Sequence, residues 1–134
     1  MRRTWIALIV LLAAFDCSAS TAPSDATVSY NLESVDGNRL PYTVSGSTFM
    51  SGELVVFGSD SARITDSSVN GMQGTINIGT YRAQRVGPNL VLTPTFSGPQ
   101  IPDTLSVSGS RAELHMPAQT TSGLVTHVRI YVAK

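Results

Sequence analysis

The chain holds one cysteine, Cys17, in 134 residues, so no disulfide can form within it. Burial of Val, Ile, Leu and aromatic side chains must therefore carry the fold, at about 25 cal/mol for each Å² of apolar surface removed from water. Charge is equally scarce: 13% of residues are charged, nine basic against nine acidic. With no basic excess, a nucleic-acid partner is not expected. There is also no polybasic cluster to hold an anionic bilayer. The longest apolar run, Trp5 to Phe15, is 11 residues, short of the roughly 20 that a spanning helix needs. It contains the only tryptophan. Helical periodicity is missing too. Gly or Pro interrupts nearly every ten-residue window, and apolar residues recur every second position rather than every 3.6.

What the first twenty residues do contain is a positive end, an apolar middle and a small-residue exit. Arg2 and Arg3 precede the apolar run, and Cys17-Ser18-Ala19-Ser20 follows it. These are the parts of a secretory signal peptide. Small residues at Cys17 and Ala19 place the cut before Ser20, giving a signal peptide over 1–19. Cys17 is also the one candidate for lipid attachment. Ala14, Phe15 and Asp16 before it depart from the small-residue pattern of a lipobox, so ordinary cleavage, which discards Cys17, is the reading adopted. The protein is expected in the periplasm or cell envelope, with membrane attachment only if Cys17 is acylated. The paired arginines lack the flanking pattern of a twin-arginine signal, so general secretion is expected.

About 110 residues remain, enough for one domain. Without Arg2, Arg3 and Asp16, seven basic and eight acidic residues are left. Residues 20–26 form a polar leader. From 27 to 134 the period-two pattern marks strands near 27–35, 40–44, 52–57, 62–66, 75–86, 90–95, 104–108, 111–116 and 124–133. Asp36-Gly37, Gly58 to Ser61, Gly87-Pro88 and Gly109-Ser110 are turns. Pro41 belongs at a strand start or edge, and Gly79 marks a bend or bulge. Ser67 to Gly74, Ser97 to Pro102 and Pro117 to Gly123 read as loops. Eight or nine short strands with regular turns define an all-β, antiparallel barrel or sandwich.

The order of pieces resembles small exported bacterial lipocalin-like β proteins. The matching pieces are Tyr30-Asn-Leu-Glu-Ser-Val-Asp-Gly-Asn-Arg-Leu-Pro41, Gly52-Glu-Leu-Val-Val56, Gly79-Thr-Tyr81 leading to Asn89-Leu-Val-Leu-Thr-Pro94, Val107-Ser-Gly-Ser-Arg-Ala-Glu-Leu114, and the closing Arg129-Ile-Tyr-Val-Ala-Lys134. The resemblance covers almost all of 27–134 and implies an up-and-down barrel. It brings no catalytic residues with it.

Chemistry-bearing constellations are sparse. His115 and His127 are the only histidines, and no nearby Cys or carboxylate gives them metal-ligand spacing. No serine stands in Gly-x-Ser-x-Gly or Ser-x-x-Lys. Glu53 and Glu113 read as solvent faces of strands rather than an acid–base pair. Asp60, Asp66 and Asn70 read as turn chemistry, lacking a calcium loop's spacing. Arg82, Arg85 and Arg129 could meet an acidic ligand or rim a barrel end, with isolated surface charges as the default reading. Of the aromatics Tyr30, Tyr42, Phe49, Phe57, Tyr81, Phe96 and Tyr131, most should be core and some should line a mouth. No catalytic, metal or cofactor site is assigned. The expected function is a non-enzymatic binding protein for a small apolar or amphipathic ligand. The alternative is a filled barrel serving as a structural or protein-interaction module of the cell envelope.

Overall fold

The computed structural model describes residues 26–134. The expected signal peptide over 1–19, with Cys17, and the leader up to residue 25 lie outside the described residues. Ten strands follow: β1 (Thr27–Val35), β2 (Asn38–Arg39), β3 (Tyr42–Val44), β4 (Ser47–Phe57), β5 (Ser61–Asn70), β6 (Gln73–Val86), β7 (Asn89–Pro94), β8 (Asp103–Ser108), β9 (Arg111–Thr120) and β10 (Gly123–Ala133). Every pairing is antiparallel. From β4 to β10 each strand pairs with the next, β10 pairs with β1, and β1 pairs with β4. The result is a closed, eight-stranded, up-and-down barrel. The two short strands β2 and β3 are carried in the connection from β1 to β4. Closure removes the free edges that an open sheet of this length would expose.

Turn chemistry sets the register. Asp36-Gly37 and Ser45-Gly46 each link directly paired residues, Val35 with Asn38 and Val44 with Ser47. Both residues of each link have positive φ, 49° and 79° in the first, 49° and 82° in the second. That is the signature of the type I′ hairpin, whose twist matches the strands. Gly87-Pro88 and Gly109-Ser110 likewise close two-residue links at the opposite end of the barrel.

The core fills the half of the barrel nearest the β4–β5, β6–β7 and β8–β9 turns. Tyr30, Leu32, Leu54, Val56, Ala62, Ile64, Leu90, Leu92, Leu105, Ala112, Leu114 and Tyr131 form one buried cluster. Large rings face small partners across the ladder: Tyr131 is opposite Ala112, and Tyr81 is opposite Ala62. Such large–small pairing suits an eight-stranded barrel, whose interior is only just wide enough for side chains.

Several local expectations change. β4 begins at Ser47 rather than near 52; residues 67–70 and 73–74, expected as loop, belong to β5 and β6; and 117–120 continue β9. The extensions of β5 and β9 hold only Val69, Pro117 and Ala118 as apolar residues and so carry no apolar alternation, yet their backbones pair through Asn70 with Gln73 and Thr120 with Gly123. Gly79 is not a bulge; it pairs in register with Ile64. A Cβ there would stand 3.0 Å from the Tyr81 ring, so the glycine makes room for that ring. The bulges lie instead in β1, between Leu32 and Ser34, and in β4, between Phe49 and Ser51.

Candidate functional site: a half-open cleft at one barrel end

The two bulges build the site. Below them the inward residues are Tyr30 and Leu32 in β1, and Gly52, Leu54 and Val56 in β4. An inserted residue reverses strand parity. Above the bulges Val35 and Phe49 therefore turn inward, while Met50 is left exposed. The β1–β4 ladder ends at Asn31 with Glu53. Beyond that pair β1 takes β2 as its neighbour, and β4 takes β3. The wall thus splits on one side, and a cleft of about 340 Å³ opens above the packed core. Val35, Val44, Phe49 and Met116 give it an apolar wall, and Asp103, His127 and Arg129 give it a polar one.

At its floor Arg129 Nη1 donates to Asp66 Oδ2 at 2.5 Å, with both side chains 12% exposed. The guanidinium carbon lies 5.3 Å from the centre of the Phe49 ring, a cation–π contact. Burial pushes the Arg129 pKa down, but Tyr131 and Asp66 beside it more than offset this and leave it raised. Asp66 Oδ1 has no hydrogen-bond partner among the described residues and faces Gly52, where a Cβ would come within 2.9 Å of it and 2.8 Å of Leu32 Cδ2. Gly52 is thus a close-approach glycine. The Tyr131 hydroxyl is buried beside the guanidinium without hydrogen-bond geometry to any group among the described residues, and burial pushes its pKa up to about 12.

Asp103 opens β8 and is 6% exposed. Its carboxylate makes no hydrogen bond or ion pair among the described residues. Burial pushes its pKa up to about 6, against the opposing pull of Arg129. At the rim, Asp36 holds the β1–β2 turn to β10. Its N–H donates to the Val128 carbonyl at 2.7 Å, Oδ1 accepts from the Val128 N–H at 2.8 Å, and Oδ2 lies 2.9 Å from His127 Nδ1. Burial raises the Asp36 pKa, but its bonds to His127 and Val128 outweigh this and lower it overall.

The residues weighed from sequence scatter. His127 reaches the cleft, whereas His115 is on the outer surface, 2.7 Å from Glu113 Oε1. Glu53 pairs with Lys134 at 2.5 Å, so the two glutamates do not meet. Asp60 stays in a turn, accepting from the Ser61 hydroxyl at 3.3 Å. Asp66 is not turn chemistry and Arg129 is not a surface charge: they form the buried pair. Arg82 and Arg85 are exposed. Among the described residues no three His, Cys, Asp or Glu side chains converge as metal ligands. Asp66 and Asp103 carried a readable signal. Each stands in phase with inward apolar residues, Asp66 after Ala62 and Ile64, Asp103 before Leu105, where a charge is out of place unless paired or functional.

Comparison with protein-family models, with curated proteins and with solved structures finds no match.

Proposed function

We propose that this chain is a non-enzymatic, extracytoplasmic barrel that binds a small apolar or amphipathic ligand in the cleft. The resemblance to exported lipocalin-like proteins and the signal-peptide pattern at residues 1–19 belong to the same reading. The observation that carries it is the contrast between the two halves of the barrel. One half is filled by Leu54, Leu92, Leu105, Leu114 and Tyr131. The other half, built from the same strands, is kept open by two bulges and a split wall. Pockets that combine an apolar wall with a few convergent polar groups are the usual form of small-molecule sites.

Native mass spectrometry of the protein purified from the cell envelope tests this. A bound small-molecule mass, lost on denaturation, is expected, with the N-terminus at Ser20 rather than an acyl mass on Cys17. As a second arm, N-phenyl-1-naphthylamine should fluoresce on binding, with a dissociation constant of about 1–100 µM. A Val44→Trp substitution, which fills the cleft, should abolish the signal. A bare protein mass together with no dye binding refutes the reading.

A second reading, a structural or protein-interaction module, is favoured by exposed apolar side chains at the cleft end. Met72 and Phe96 on connections and Leu124 at the start of β10 are 107%, 64% and 61% exposed. Three-residue replacement there by Ser should leave dye binding unchanged if the cleft is the functional site.

A further inference from the structure

We propose that the cleft selects a small amine with an apolar body, seating its ammonium on the Asp103 carboxylate. This rests on the reading of the cleft as a ligand site and adds the class of ligand.

The charges facing the cleft settle the sign. Arg129 from β10 is already spent on Asp66 from β5, in a 2.5 Å contact, and its face is covered by Phe49 from β4. Its charge is thus already matched within the barrel. Asp36, at the end of β1, is engaged by the Val128 N–H and by His127. Asp103 from β8 is the inward carboxylate left without a hydrogen bond or ion pair among the described residues, though it is more than nine-tenths buried. The flanking Met116, Pro117 and Ala118 of β9 contribute no charge. Three carboxylates thus stand against one guanidinium and one imidazole.

A buried carboxylate without a partner is costly to keep ionised. An ammonium supplies both the missing charge and the missing donors, in a charge-assisted hydrogen bond. The rest of the wall fits the other half of such a molecule, because Val35, Val44, Phe49 and Met116 offer apolar surface beside Asp103. The alcohol of the same skeleton would offer one donor and no charge. The corresponding carboxylate would face Asp103 with like charge.

The test is calorimetric titration of the full chain at pH 7.5 with three probes on one skeleton: phenethylamine, 2-phenylethanol and 3-phenylpropanoate. Methyl NMR of Met116 reports whether each probe enters the cleft. The amine is expected to bind at least about tenfold more tightly than the alcohol, and the carboxylate most weakly. Asp103→Asn should bring the amine-to-alcohol ratio to about one. Phe49→Ala should weaken both probes and keep the ratio. Amine affinity in the wild type should fall as the pH is lowered from 7.5 to 5, as Asp103 takes up a proton. Equal binding of amine and alcohol overturns the amine assignment and leaves the ligand reading standing. So does an amine preference that survives Asp103→Asn, or tightest binding by the carboxylate. If no probe shifts Met116 at millimolar concentration, the ligand reading itself fails.

Discussion

Arg129 and Asp66 meet inside the barrel, Nη1 to Oδ2 at 2.5 Å, although 63 residues separate them in the chain. They come from β10 and β5, strands not adjacent in the barrel. The pair therefore ties opposite walls together at the boundary between the packed half and the open cleft. Removing one member of a buried pair leaves an uncompensated charge, which costs about 3–5 kcal/mol. The two halves of this pair should not be equivalent. Arg129→Met strands Asp66 and leaves Asp103 without the cation that lowers its pKa through proximity. Asp66→Asn leaves Arg129 with Asp103 still within electrostatic reach. Urea unfolding at pH 7 should show a loss of about 3–5 kcal/mol for Arg129→Met and about half that for Asp66→Asn. Equal losses, or a larger loss for Asp66→Asn, would show that Asp103 does not share the cation.

Asp103 should make the protein less stable as pH rises. Its folded pKa, about 6, lies above the ordinary value of 3.8. Between those limits the folded state holds a proton that the unfolded state has released, so stability falls from pH 4 to pH 6 and stays lower above it. About 1.4 kcal/mol per pKa unit sets a ceiling of about 3 kcal/mol. Asp103→Asn should therefore stabilise the unliganded protein by about 2 kcal/mol at pH 7.5. The gain should vanish near pH 3, below both pKa values, where both states of the wild type are protonated. Thermal melts of both proteins from pH 3 to 8 measure this directly. A variant less stable than wild type at pH 7.5 refutes it.

The barrel was legible from residue 27 onward because its packed half obeys period two. Val28, Tyr30 and Leu32 alternate with polar residues, and Asp36-Gly37 and Gly109-Ser110 announce their turns. The cleft was not legible, for a physical reason. A bulge shifts the apolar phase by one position, so Val35 and Phe49 read as out of step with Leu32 and Gly52. The extensions of β5 and β9 around the mouth line open space, so their inner faces need no apolar residues and they imitate loops. The Arg129–Asp66 pair depends on two strands meeting across the barrel, which no local window contains.

Asp36 anchors the rim, and its loss should be felt in one pH window. Replacing it with Ala deprives the Val128 N–H and His127 of their acceptor and puts a side chain with no local hydrogen bonding at a φ of 49°. A loss of about 1–2 kcal/mol at pH 7 is expected. The folded pKa of Asp36 lies below the ordinary carboxylate value. Its contribution is therefore fully present above about pH 4 and is lost as pH falls through the folded pKa. The difference between wild type and Asp36→Ala should shrink below pH 4, and hydrogen exchange at Val128 should quicken in the variant. A difference that is constant down to pH 2 would assign the effect to backbone strain rather than to the carboxylate.

The bulge in β4 makes a sharper prediction, because the register says which residue is extra. Phe49 pairs with Ser68 and Ser51 pairs with Ser67, so Met50 is the inserted position. Deleting Met50 would join the two stretches into a regular ladder without changing any pair on either side. Phe49 would still point inward, over Arg129. Deleting Val55 instead would shift every pair on one side of it by one and drive either Leu54 or Val56 out of the core. Deletion of Met50 should therefore give a folded protein, destabilised by about 1–2 kcal/mol through the altered local twist. Deletion of Val55 should give none. Methyl and aromatic NMR spectra, with urea melts, distinguish the two. If deletion of Met50 also abolishes folding, the bulge is required by the barrel itself and not only by the cleft it opens.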